Sequence, residues 1–179
     1  LLNGRPTLAC NTQIRHIAAT DLTVAPLPNF PIVRDLVPDL VPMFEKHRSL
    51  KPFIVREDEA PLDDPAGEFY QSPEQLEQYL QFTYCIKCGC CMAACPTLAT
   101  DARYLGPMPL TAAQRYNIDT RDDGRRERAE AAGDAHGAFR CHYAGECSRV
   151  CPKGVDPAKA IQHLKRRLVL DYLRLARRK

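Results

Sequence analysis

Residues 85–96 read Cys85-Ile-Lys-Cys88-Gly-Cys90-Cys91-Met-Ala-Ala-Cys95-Pro96, a C-x2-C-x2-C-x3-C-P run, and a second set follows at Cys141, Cys147 and Cys151-Pro152. Thiolates at this spacing reach three irons of one cubane cluster, and in chains that hold two such clusters the fourth cysteine of each run ligates the other cluster. Cys85, Cys88 and Cys91 are therefore expected to share a 4Fe-4S cluster with Cys151, while Cys95 joins Cys141 and Cys147 on the second. That second run is C-x2-Ala-x2-C-x3-C-P, with Ala144 where the middle cysteine belongs. A methyl group cannot ligate iron, so the second cluster should lack one corner and be 3Fe-4S.

Two other uses of cysteine fit less well. Zinc takes four ligands per closed site, often as two separated C-x2-C knuckles, and has no use for the tight x2, x2, x3 spacing with a proline after the last thiol. Disulfides suit secreted frameworks, whereas adjacent Cys90 and Cys91 inside a C-x2-C comb suit a reduced, metal-binding segment. Cys90 falls outside the ligand register and reads as a small buried hydrophobe beside the cluster.

The 179 residues can bury one moderate core or two small ones, and the 45% hydrophobic content is that of a globular chain. No stretch approaches eighteen consecutive apolar residues and the start does not resemble a cleavable signal, so membrane contact is expected to come through partners. Fifteen prolines and nine glycines point to connecting segments wrapped around clusters, with iron–sulfur ligation as the cross-link. The net charge of +3 is unevenly placed. From Lys159 onward, Lys165, Arg166, Arg167, Arg174, Arg177, Arg178 and Lys179 add to it, against Asp171 alone. Nucleic acid, anionic lipid, an acidic partner subunit and a plain solvated helix face are the competing readings of that tail. With no nucleic-acid module and no array of stacking aromatics, nucleic acid is not an expected partner.

Along the chain, which begins without methionine and reads as a fragment, Asn3-Gly4 is a hairpin dipeptide and Leu22 to Leu27 alternates like a short strand. The first forty residues thus look like the tail of a β domain. Helical spacing of Leu36, Leu40, Met43, Phe44 and Leu50 predicts a helix from about Pro38 or Asp39. Residues 57–67 read as an acidic surface loop. Ser72-Pro73-Glu74-Gln75 is a capping box opening a helix whose buried face is Leu76, Tyr79 and Leu80. Thr111 and Gln114 form a second such pattern, and residues 121–135 predict a partly exposed helix. Asp156 and Pro157 open a last helix with Ile161, Leu164, Leu168 and Tyr172 along one face.

With these residues in place, the chain resembles the iron–sulfur subunits of succinate:quinone oxidoreductases, the succinate dehydrogenases and fumarate reductases. The resemblance rests on Asn3-Gly4 followed by Thr7-Leu8-Ala9-Cys10, on Phe30 to Leu36, on Lys51-Pro52-Phe53, on the Cys85 comb, on Gly106-Pro107, and on Cys141 through Gly154. It implies an α+β chain: residues 1–41 as the C-terminal remnant of a plant-type (β-grasp) 2Fe-2S ferredoxin domain, and residues 42–179 as an all-α helical ferredoxin domain with 4Fe-4S and 3Fe-4S clusters. It also implies an electron wire. Electrons from succinate enter the FAD of a flavoprotein subunit, pass through 2Fe-2S, 4Fe-4S and 3Fe-4S, and reach a quinone in a membrane anchor that often carries haem b. The resemblance further implies a peripheral place on the cytoplasmic face of a bacterial or archaeal inner membrane, or on the mitochondrial matrix face.

By position Cys10 matches the last 2Fe-2S ligand; the other three lie upstream in the family, and only nine residues precede Cys10 here. Ubiquinone-reducing relatives place a tryptophan shortly after the comb, where this chain has Thr97-Leu98-Ala99-Thr100. Cys-Gly-Cys-Cys and Gly-Pro-Met-Pro-Leu look more like menaquinone-type members. The family's quinone site maps to Pro96 and His142. His142 has two open readings, a donor to a quinone carbonyl and a histidine that merely packs beside the cluster. Sulfur-directed amides are expected within 86–94 and 148–150. The rival within electron transfer is the iron–sulfur subunit of a glycerol-phosphate, glycolate or heterodisulfide oxidoreductase with two 4Fe-4S clusters; a rival outside it is a cluster-binding sensor.

Overall fold

The computed structural model describes residues 1–18, 20–57 and 68–176, with side chains as far as residue 173; most of the loop expected at 57–67 and the last three basic residues lie outside the described residues. At the start, Asn3 (φ 47°) and Gly4 (φ 78°) both occupy the left-handed region. Leu2 and Arg5 exchange two backbone hydrogen bonds across them, at 2.9 and 3.0 Å, which is the two-residue turn that an Asn-Gly pair favours. Leu22 to Leu27 does not form a strand; only a single bridge joins Leu2 to Val24. Pro26 and Pro28 lack the N–H groups needed to extend a ladder. The sheet among the described residues is the hairpin β1 (Ile32–Arg34) and β2 (Val37–Pro38), turned at Asp35 with φ 49°.

The remainder is helical: α1 (Val41–Ser49), α2 (Pro73–Thr83), α3 (Cys90–Ala93), α4 (Pro96–Thr100), α5 (Pro107–Ile118), α6 (Arg125–Ala132), α7 (Glu146–Arg149) and α8 (Pro157–Ala176). α1 begins a few residues later than its pattern suggests, because Leu36 belongs to the hairpin and Asp39 accepts from the Val41 amide at 2.9 Å. The capping box of α2 is present in full, with the Ser72 hydroxyl and the Gln75 amide serving each other's backbone. Its buried face runs through Tyr79 and Phe82, and Leu76 is exposed. α5 starts one turn before Thr111. Pro107 fits the first helical position, where no N–H is needed, and the Thr111 hydroxyl bonds back to the Pro107 carbonyl at 2.7 Å inside the helix. On α8 the Asp156 carboxylate caps the Lys159 amide at 2.9 Å, and Ile161 and Leu164 are fully buried. Tyr172, expected on that face, is 72% exposed.

α5 is the central element and packs against α8, α2, α1, α6 and α3. Around it Met43, Leu50, Met92, Leu98, Met108, Leu110, Ile161 and Leu164 form the main core. Arg128 on α6 is also fully buried. It makes a bidentate pair with Asp122 and donates to the carbonyls of Lys51 (3.0 Å) and Phe53 (2.7 Å), pinning the segment after α1 to the helical body. The N-terminal segment is tied to the comb by Asn29, beside Phe30, which packs against the main core. Asn29, held at φ 65°, places its Nδ2 3.0 Å from the carbonyl oxygens of Met92, Ala93 and Cys95, so its two hydrogens serve the C-terminal end of α3.

Candidate metal centres

Both cysteine runs take up the same backbone path. Two residues after the first cysteine of each, Lys87 (φ 56°) and Tyr143 (φ 59°) are left-handed, and two residues further Gly89 (φ 82°) and Gly145 (φ 78°) are left-handed again. A four-residue helix follows each time, α3 and α7. A non-glycine residue in the left-handed region costs about 1–2 kcal/mol, so this path is maintained against local preference. The reversals curl the chain round a point and turn successive thiols toward it. Cys88 and Ala144 occupy equivalent positions in the two curls, so the second curl has one thiol fewer.

The curls close on two cavities. Cys85, Cys88 and Cys91 line the first with Cys151, beside Met108, Thr111 and Val155. Cys95, Cys141 and Cys147 line the second with Ala144, Tyr104 and Pro107. Each cavity thus receives one cysteine from the distant run. Among the described residues no three His, Cys, Asp or Glu side chains converge as ligands of a single ion would. Thiols ringing a cavity suit a polynuclear cluster, not zinc. All nine cysteines are free thiols, so no disulfide competes for them.

Burial pushes the Cys91 thiol well above the ordinary thiol range, raises Cys85 and Cys95, and lifts Cys147 to about 11. Such thiols become thiolates only when a cation compensates them, as metal binding does. Cys88 goes the other way, down to about 6, because the Cys90 thiol donates to its sulfur. Cys90 itself is buried and lines neither cavity. Backbone amides also aim at sulfur: Lys87 at Cys85, Cys90 at Cys88, Ser148 at Cys147, and Tyr143 at Cys141 over 3.4 Å. Thr97 and Leu98, in the first turn of α4, do the same for Cys95. Tyr143, Thr97 and Leu98 lie outside the two spans where sequence placed such donors. Pro96 starts a helix directly after Cys95, and the free N–H groups of that first turn face the thiol.

The second cavity carries a further sign of its occupant. The Tyr104 hydroxyl is buried and lines the cavity; among the described residues it makes no fully formed hydrogen bond, and its polar neighbour is the Cys141 sulfur. Sequence reading missed this residue; its one signal was its place just before Gly106-Pro107. Pro96 and His142, singled out for a quinone, both line this second cavity and are exposed at its rim with Tyr143. Lys165 of α8 donates to the Cys141 carbonyl at 2.6 Å. Cys10 stands exposed in the turn Ala9–Asn11 and lines neither cavity.

Residues 81–155 match the family model of a 4Fe-4S dicluster domain, and residues 1–45 match that of a 2Fe-2S iron–sulfur cluster binding domain. The fumarate reductase iron–sulfur subunit of Mycobacterium tuberculosis is 46% identical over 164 residues, covering 92% of this chain and 66% of the relative. The succinate dehydrogenase iron–sulfur subunit of Coxiella burnetii is 35% identical over 171 residues, covering 95% of this chain and 71% of the relative. The chain belongs to the family of succinate dehydrogenase and fumarate reductase iron–sulfur subunits. A solved structure described as the Mycobacterium smegmatis Sdh1 complex in the apo form superimposes on this iron–sulfur subunit with a TM-score of 0.77 at 27% identity, over 93% of this chain and 70% of that one. The chain spans about two thirds of the length of the relatives it matches. These relationships support the succinate:quinone reading over the two-cubane oxidoreductases, as does Ala144 at the position of a fourth ligand.

Proposed function

We propose that this iron–sulfur subunit carries electrons between the FAD of a partner flavoprotein and a quinone held by a membrane anchor that carries haem b, by way of 2Fe-2S, 4Fe-4S and 3Fe-4S clusters. The observation that carries the reading is the pair of thiol-ringed cavities with exchanged fourth cysteines, one of which has alanine at its open corner. Cys85, Cys88, Cys91 and Cys151 hold the 4Fe-4S cluster, and Cys95, Cys141 and Cys147 hold the 3Fe-4S cluster. Cys10 is one ligand of the 2Fe-2S cluster. When bound, these clusters supply one-electron carriers. In this reading residues 1–41 are the end of a 2Fe-2S ferredoxin domain and residues 42–179 a helical ferredoxin domain.

The protein's own contribution is to hold, shield and bias. The buried thiols exclude water from the metal centres, and the amides of Lys87, Cys90, Thr97, Leu98, Tyr143 and Ser148 place positive dipole ends on the ligand sulfurs, which stabilises the reduced state. Pro96, His142 and Tyr143 form an exposed rim over the second cavity, where a quinone headgroup approaches and His142 donates to its carbonyl. No helix among the described residues is long and apolar enough to cross a membrane. The chain docks peripherally, at the cytoplasmic or matrix face. Arg125 pairs with Asp171 at 2.5 Å, which occupies the lone acid of α8 and leaves exposed Arg166 and Arg167 to face the anchor or anionic lipid. Copurification tests the reading: tagged full-length protein should bring down a flavoprotein and an anchor with succinate:quinone reductase activity. Recovery of the chain alone, or loss of neither partner on reversing the charge of Arg166 and Arg167, would contradict the first and second parts respectively.

A further inference from the structure

Tyr104 precedes Leu105-Gly106-Pro107, the corner that leads into α5, and its backbone is fixed on both sides. Its amide donates to the Asp101 carbonyl at 3.1 Å, its carbonyl accepts from Lys46 Nζ at 2.8 Å, and the next amide, of Leu105, donates to the His136 carbonyl at 2.9 Å. The side chain is 0% exposed, so the ring has no path back to water. No hydrogen bond from its hydroxyl is fully formed within the described residues; the hydroxyl lines the cavity with Cys95, Cys141 and Cys147, and its polar neighbour there is the Cys141 sulfur. A buried hydroxyl left unpaired costs about 1–3 kcal/mol, a penalty that native interiors rarely accept without a partner.

We propose that the Tyr104 O–H donates a hydrogen bond to a sulfur atom of the second cavity, a cluster sulfide or the Cys141 thiolate, and so raises the reduction potential of the three-iron cluster. The acceptors in that cavity are sulfur atoms whose negative charge grows when the cluster takes an electron. A donor aimed at them binds the reduced state more strongly than the oxidised one. Tyr104 is thus a tuning residue of the last cluster in the wire, and the first cavity has no counterpart to it among its lining residues. The inference rests on assigning a three-iron cluster to this cavity.

The test is an EPR-monitored redox titration of the membrane-bound complex. Tyr104→Phe keeps the ring and removes the donor. It should lower the reduction equilibrium constant of the three-iron cluster three- to tenfold, roughly 30 to 60 mV for one electron, and leave the 4Fe-4S midpoint in place. Site-specific 3-fluorotyrosine at position 104, a stronger donor of nearly equal size, should move the midpoint upward, and it decides the matter alone if the phenylalanine variant fails to hold its cluster. Unchanged midpoints, or shifts of the same sign in both variants, overturn the proposal. A parent protein with no oxidised-state three-iron signal overturns the cluster assignment itself, before any variant is made.

Discussion

Replacing Arg128 by methionine removes a fully buried positive charge from the helical body. The guanidinium sits against Asp122 at 2.5 and 2.7 Å with both side chains at 0% exposure, and it also donates to the carbonyls of Lys51 and Phe53. Truncating one member of a buried pair costs about 3–5 kcal/mol, because the other is left charged and unpaired. Asp122 keeps two backbone donors, Val55 at 3.0 Å and Gly124 at 2.9 Å, which places the expected loss near the lower end, ~3 kcal/mol. At about 2–4 °C per kcal/mol for a chain of this size, the melting midpoint should fall by roughly 6–12 °C. Anaerobic thermal scans at one fixed rate, followed by far-UV circular dichroism and by the visible absorbance of the clusters, measure it. Adding Asp122→Asn should recover part of the loss, since it removes the stranded charge. A single variant that melts within about 2 °C of the parent, or a double variant that melts lower still, would refute the reasoning that the pair is buried and coupled.

Ala144→Cys adds the missing sulfur on a backbone already shaped like that of Cys88; bound iron should rise by about one atom per chain and the oxidised-state EPR signal should vanish, whereas unchanged iron would mean that the two curls are not equivalent. In the iron-free chain at pH 7, Cys88, held near 6, is mostly thiolate while Cys147, pushed to about 11, is almost wholly thiol. Iodoacetamide should therefore label Cys88 well before Cys147, with the Cys88 rate falling as the pH drops below 6; the reverse order counts against the assigned environments. Asn29→Ala strands the end of α3 and should raise the rate of protease cleavage near residues 26–31 about 5- to 150-fold, from a local loss of about 1–3 kcal/mol; an unchanged rate would show that this amide does not tie the N-terminal segment to the comb.

The thiols that line each cavity were legible in the sequence because the spacing within each run is local. Spacings of two and three residues decide which thiols can share a cluster, and Ala144 stands out only against that pattern. Caps were legible for the same reason, at Ser72 on α2 and Asp156 on α8. What stayed hidden depends on partners distant in the chain. Thr111 looks like a helix cap until α5 is seen to start at Pro107 and bury that hydroxyl. Arg128 reads as one more charge in an exposed helix, since nothing nearby in sequence announces that Asp122 and two carbonyls 75 and 77 residues away will enclose it. Asn29 and Tyr104 carry no motif at all. Each matters because the fold delivers it to a set of carbonyls or to a cavity that the cysteine runs create.

The most direct test of the account is low-temperature EPR of the air-oxidised protein in its complex, quantified against bound iron. One oxidised-state three-iron signal per chain is the result that Ala144 and the exchanged fourth cysteines predict. A silent oxidised spectrum with iron for two complete cubanes would show that another ligand fills the corner beside Ala144, and would contradict the account.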